Sequence, residues 1–319
     1  MPNLDVMLIG MGLSLFSACI FNLAAVLQKR EVDKLPELRF DQGVKHIIET
    51  LTEFVKNKLW VLAVILGVAG APFYMISFDM IGITLTQPLQ GFGVLVLAIF
   101  SVKVLKEPLN SYEKMGIIFL LTAPLFLGLG RIQGQIAIIN NYEYFAPVIL
   151  GLLGIQEKIT NINNFGLLLI LSIFTIVVFI ISVILYLIHF KVNKHHEKIF
   201  ATLAGIDFAI GAIYLQILVP ILGILLGGDY QAFSNYSLLF LIAGFISVAG
   251  NFLGIMFIQG AFQKGKAVTV VPFQSTFGTL LPILAGLIIF GQSILQPIFF
   301  IVGVISMLIG VISLSRMQE

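Results

Sequence analysis

Along the chain, apolar runs alternate with short polar connections, and the runs approach the ~20 residues that a helix needs to cross a bilayer. They fall at about 6 to 28, 59 to 78, 84 to 103, 115 to 130, 165 to 189, 199 to 226, 238 to 262, 268 to 290 and 297 to 315. This pattern predicts an all-α integral membrane fold with nine transmembrane helices, here spans 1 to 9. Two connections are long enough to hold structure of their own. Within 42 to 56, Val44, Ile47, Ile48, Leu51, Phe54 and Val55 gather on one helical face and Lys45, Glu49, Glu53 and Lys56 on the other, which predicts a helix lying on the membrane surface. In 131 to 164, Phe145, Val148, Ile149, Leu152 and Leu153 form a similar stripe, either a lid over a vestibule or a passive interfacial helix.

Charge then orients the spans. With nine crossings, 16 of the 18 lysines and arginines fall on one side and only Arg131 and Lys158 on the other. The rich side is cytoplasmic by the positive-inside rule, so the N-terminus is expected outside and the C-terminus inside. Adding or removing one internal helix would destroy the asymmetry.

Polar residues interrupt the apolar runs at matching places. Residues 68 to 93 read VAGAPFYMISFDMIGITLTQPLQGFG, and 248 to 278 read VAGNFLGIMFIQGAFQKGKAVTVVPFQSTFG. Val68-Ala69-Gly70 meets Val248-Ala249-Gly250, Pro88-Leu89-Gln90 meets Pro272-Phe273-Gln274, and Phe92-Gly93 meets Phe277-Gly278. The matched spans run in opposite directions, so spans 1 to 4 and 6 to 9 form an inverted-topology repeat joined by span 5, a common plan among secondary transporters. The expected units are residues 1 to 130, an outer loop 131 to 164, a linking span and loop 165 to 198, and a second repeat 199 to 319.

Each Pro-x-Gln loosens a helix and places an amide in hydrocarbon. Gln87, Gln90, Gln274 and Ser275 are therefore candidates for a solute path, with Pro88 and Pro272 as helix breaks; a packing kink is the competing reading. At about 1.5 Å rise per residue, Gln90 and Gln274 would lie symmetrically about the midplane. Asp207 is the carboxylate that falls well inside a span, and Tyr214, seven residues on, shares its face. Such an acid either carries a proton with the tyrosine as its partner or contacts a cation, or else reaches the cytoplasmic surface or pairs with a loop lysine. Asn22 and Asn251 interrupt spans 1 and 7 and serve either the path or interhelical hydrogen bonding. Glu107, at the inner end of span 3, either caps the following helix or closes an inner gate against Lys114.

Composition sharpens this picture by exclusion. Residues are 59% hydrophobic and 11% charged, against about a quarter charged in a soluble domain. The net charge of +2 forms no basic stripe, which excludes a nucleic-acid partner. Cys19 is the single cysteine, and its apolar neighbours predict burial. No metalloprotease, nucleophile-elbow, P-loop or paired-cysteine motif occurs, so no enzyme chemistry and no metal centre or cofactor is expected.

The stretch PLQGFGVLVLAIFSVKVLKEPLNSYEKMGIIFLL, preceded by WVLAVILGVAGAPFYMISFDMIGITLTQPL, resembles the drug/metabolite transporter (DMT) superfamily and its EamA/NIPA-like branch. The resemblance covers most of spans 2 to 4 and 7 to 9. It implies a multi-pass protein of the plasma membrane that moves a small solute by alternating access, with proton or cation coupling. Within the branch, magnesium is the implied cargo. In the second half, Gly291-Gln292 stand where the first has Lys106-Glu107. Expected partners are the lipid bilayer, a small-molecule or ion substrate and, as an option, a second copy of the chain. A membrane-embedded lipid enzyme and a non-transporting scaffold are the rival classes.

Overall fold

The computed structural model describes residues 4–81, 83–130, 132–133, 164–191, 196–290 and 293–315. The chain is a multi-pass helical membrane protein. Eight described helices are long and apolar enough to cross a bilayer, and a shorter apolar helical segment covers Gly93–Leu105. In chain order the helices are α1 (Leu4–Val32), α2 (Gly43–Lys56), α3 (Lys58–Ile81), α4 (Ile83–Gln90), α5 (Gly93–Phe100), α6 (Ser111–Leu129), α7 (Asn164–His189), α8 (His196–Leu226), α9 (Tyr230–Lys264), α10 (Ala267–Ile288) and α11 (Pro297–Ser315). Two-residue strands β1 (Ile132–Gln133) and β2 (Ser293–Ile294) pair antiparallel and join the end of α6 to the start of α11.

The third span departs from expectation. Instead of one helix over 84 to 103, α4 stops at Gln90, the chain turns at Gly91–Phe92, and α5 runs on into a wider π turn, Ser101–Leu105. Phe92, Val94 and Leu95 donate to the carbonyls of Leu89, Gly91 and Phe92, three residues back rather than four. Pro88 removes a donor just upstream, and Gly91 and Gly93 flank the turn. Cys19 is also corrected: it is exposed on α1, because the apolar surroundings that suggested a core are a lipid-facing surface. The stripe expected to form a lid, Phe145 to Leu153, lies outside the described residues.

Local chemistry sets several helix ends. Asn57 accepts from the N–H groups of Leu59 and Trp60 and starts α3. Asn110 and Glu113 form a reciprocal capping box at the start of α6. On α2, Phe54 is buried against Trp60, with ring centroids 5.5 Å apart, while Ile48 and Val55 stay exposed. The helix thus docks through one edge of its apolar face and leaves the other for the bilayer surface.

Two helix pairs dominate the packing: α1 lies along α3, and α8 along α9. A third pair, α6 with α11, comes from the two ends of the chain. There a Cβ on Gly116 would stand 2.8 Å from the Gly310 carbonyl oxygen, so the two backbones touch. Between these pairs, α4 and α5 pack on α1 much as α10 packs on α8, and α10 also meets α4 and α5. The largest buried apolar cluster draws on both halves, from Val26 and Leu97 to Phe200, Val268 and Leu314. The outward faces of α3 and α7 carry exposed Ile65, Val68, Ile176 and Phe179, as lipid-facing helices do.

Candidate functional site

Gln90, at the last turn of α4, engages α1 through its amide nitrogen. Its Nε2 donates within 3.1 Å to the carbonyl and Oγ of Ser14 and at 2.9 Å to Ser17 Oγ. Ser14 Oγ donates to the Thr86 carbonyl, and Ser77 and Thr86 hydroxyls lie 3.3 Å apart. The four hydroxyl residues are buried, so α1, α3 and α4 share one polar knot beside the helix break. Reading polarity span by span misses Ser14, Ser17, Ser77 and Thr86, because a serine in a helix can satisfy itself on its own backbone. Gln87 and Pro88 lie in the same short helix α4.

Gln274 differs. It lies within the continuous α10, which passes through Pro272 and Pro282 without a break. Among the described residues its side chain has no hydrogen-bond partner, although Ser275 Oγ reaches back to the Pro272 carbonyl at 3.4 Å. The Gln274 backbone carbonyl packs where a Cβ on Gly205 of α8 would stand.

Asp207 and Tyr214 share a face of α8 but do not pair. Tyr214 bonds Thr175 of α7 through its hydroxyl at 2.9 Å. Asp207 Oδ2 is buried without a hydrogen-bond partner among the described residues. A Cβ at Gly250 of α9 would stand 2.7 Å from the Asp207 carbonyl oxygen, so α9 presses on this turn. Asn22 and Asn251 behave alike: each Nδ2 donates to the carbonyl four residues back, Ala18 at 2.9 Å and Ser247 at 2.8 Å. Each also sits where a glycine of the neighbouring helix lacks a Cβ, Gly93 and Gly211 respectively. Asn22 Oδ1 is buried and unpartnered beside the α4–α5 break, whereas Asn251 is exposed.

Glu107 does not cap the helix that follows it. The following helix is capped by Asn110 and Glu113, and Glu107 instead lies near the Ala267 backbone N–H at the start of α10, in the other half of the chain. Lys106, just before it, adopts a left-handed backbone with φ 58°, a conformation that costs an L-residue roughly 1–2 kcal/mol. Burial raises the Glu107 carboxyl above its ordinary value, opposed by nearby Lys29 and Lys266. Among the described residues no group of three or more His, Cys, Asp or Glu is arranged to hold a metal ion.

Set beside known proteins, the chain is 25% identical over 122 residues to the Arabidopsis thaliana protein described as "Probable magnesium transporter NIPA9". That match takes in 38% of this chain and 34% of the plant protein, about a third of its length. No family model matches the chain, and no solved structure matches it.

Proposed function

We propose that the protein is a secondary transporter, a DMT-like carrier built as an inverted repeat, that moves a small solute by alternating access. The observation that carries this reading is the exchange symmetry of the packing. Swapping spans 1 to 4 with 6 to 9 turns the α1–α3 pair into α8–α9, the contact of α4 and α5 with α1 into that of α10 with α8, and their contact with α6 into that of α10 with α11. The α6–α11 and α4–α10 contacts map onto themselves, and α1–α9 exchanges with α3–α8. The broken α4–α5 segment takes the place of span 3, giving nine crossings. The lysine and arginine asymmetry orients them with the N-terminus outside and the C-terminus cytoplasmic, in the plasma membrane.

The partial similarity to a named magnesium transporter makes Mg²⁺ the first cargo to test. Magnesium keeps much of its water and needs few carboxylates, which suits a path holding Asp207, Asn22 and Gln274 oxygens or amides rather than a preformed cage. Asp207 is the proposed coupling group, because a buried carboxylate oxygen without a partner in a spanning helix is available to a proton or a cation.

Purified protein in proteoliposomes, loaded with a Mg²⁺-sensitive dye, tests the reading with and without a pH gradient. Saturable flux above protein-free vesicles is expected, and Asp207→Asn should reduce it about tenfold or more. No flux of Mg²⁺ or of any solute in a metabolite panel, from protein that remains monodisperse, would dispose of the transport reading.

A further inference from the structure

At the lysine-rich end of the molecule the two halves meet through Gln259 of α9, which accepts from Trp60 Nε1 at 3.2 Å and donates to Gln28 at 2.7 Å, and through residues 262 to 267, where α9 ends, the chain turns and α10 begins. Three groups of the first half hold this turn. Lys29, buried near the end of α1, donates to the Phe262 carbonyl and at 2.6 Å to Asp33. Glu107 lies near the Ala267 backbone N–H, and buried Glu113 at the start of α6 pairs with Lys266 at 3.2 Å. Outside this core, Lys264 pairs with Glu37 at 2.6 Å and Gln263 bonds the backbone at Pro36 and Leu38. From the second half, Glu197 packs on Gly265, where a Cβ would approach it to 2.7 Å.

We infer that this clasp is the cytoplasmic gate, and that Lys29, Glu107 and Glu113 must release the 262–267 turn whenever the path opens inward. The inference rests on the transport reading and names the contact that regulates it. Three features separate a parting surface from a static core. The outer pairs are exposed enough to exchange for water at a cost of about 0–1 kcal/mol each. Glu107 Oε2, Ser101 Oγ and Thr269 Oγ1, all at this end of α5 and α10, are buried without hydrogen-bond partners among the described residues, whereas the large majority of polar groups in a permanent core are paired. The left-handed Lys106 holds Glu107 in place at a backbone cost, as strained residues do at working sites.

The test uses the full chain with Cys19→Ser and a reporter Thr269→Cys, a position 1% exposed in the closed arrangement. A membrane-impermeant maleimide reaches the lysine-rich face in inside-out vesicles. Lys29→Met with Glu107→Gln should label the reporter about tenfold faster or more than the parent. An Ala243→Cys control, buried in mid-α9, should stay protected. If the control labels too, the double variant has unfolded, and Lys266→Gln, at a side chain 40% exposed, carries the same test at smaller amplitude. Reporter labelling at the parent rate in a folded variant overturns the gate. Because labelling needs no flux, the two readings fail separately: absent Mg²⁺ flux with released labelling removes only the transport reading, and flux with unchanged labelling removes only the gate.

Discussion

The two Pro-x-Gln segments show how one local cue yields two backbones. In the first half the helix breaks two residues after Pro88, its glutamine donates to Ser14 and Ser17, and Asn22 fills the space beside Gly93. In the second half α10 runs unbroken through Pro272, and Gln274 has no side-chain partner among the described residues. Proline alone therefore does not break the helix. Gln90 is followed by Gly91-Phe92-Gly93, whereas Gln274 is followed by Ser275-Thr276-Phe277, which keep helical backbone without a glycine's freedom. The comparison leaves the first glutamine bonded to α1 and the second without a side-chain partner among the described residues.

The sharpest way to break this contrast is at the paired glycines. Gly93→Ala drives a Cβ toward the Ala18 carbonyl oxygen, 2.8 Å away, and into the Asn22 amide, so thermal unfolding in detergent should show a loss of about 1–3 kcal/mol. Gly278→Ala meets its nearest atom at 3.6 Å and should change stability by no more than about 0.5 kcal/mol. Equal losses at the two sites would erase the distinction.

A smaller effect separates the glutamines. Gln90→Leu removes the amide donor that Ser14 and Ser17 share and should cost about 1–2 kcal/mol of stability. Gln274→Leu removes no bond and should leave the melting curve in place while slowing Mg²⁺ or solute exchange in proteoliposomes. A destabilised Gln274→Leu with unchanged flux would make it the packing residue of the pair.

The smallest expected effect is electrostatic and opposes the two ends of the clasp. Burial raises the Glu107 carboxyl. The folded state therefore holds its proton more tightly than the unfolded chain, and its contribution declines as pH rises from the ordinary value of 4.5 through the raised one. Glu37 is held low, by its hydrogen bond to Lys264 first, so its contribution is present above 4.5 and declines as pH falls through its lowered value. Glu107→Gln should flatten the first slope and Glu37→Gln the second in pH-dependent unfolding, the second being slight because that pair is exposed. Like slopes in both variants would contradict the opposed environments.

Much of the candidate site was legible residue by residue, but its connections were not. Asp207 stood out as a carboxylate inside an apolar span, and its buried oxygen fits that reading. Its partnership with Tyr214 was inferred from a seven-residue spacing, and the tyrosine instead turned to Thr175 on α7. Helical spacing places two groups on one face; it does not say which neighbouring helix covers that face. Glu107 was visible as an acid at a helix end, yet its place beside Ala267 joins positions 160 residues apart in the chain.

By itself the sequence determined where the chain leaves water, where a surface helix follows span 1, and where polar groups fall inside apolar runs. Those are sums over neighbouring residues, since transfer free energy depends on each side chain and its few neighbours in the chain. Only the tertiary structure decided that span 3 is two helices, that four scattered hydroxyls converge with Gln90, and that Lys29 and Glu107 close on a turn from the other half. Helices buried together can rotate and slide at nearly constant hydrophobic energy, so the choice among polar partners is fixed by interhelical packing over long separations rather than by any local pattern.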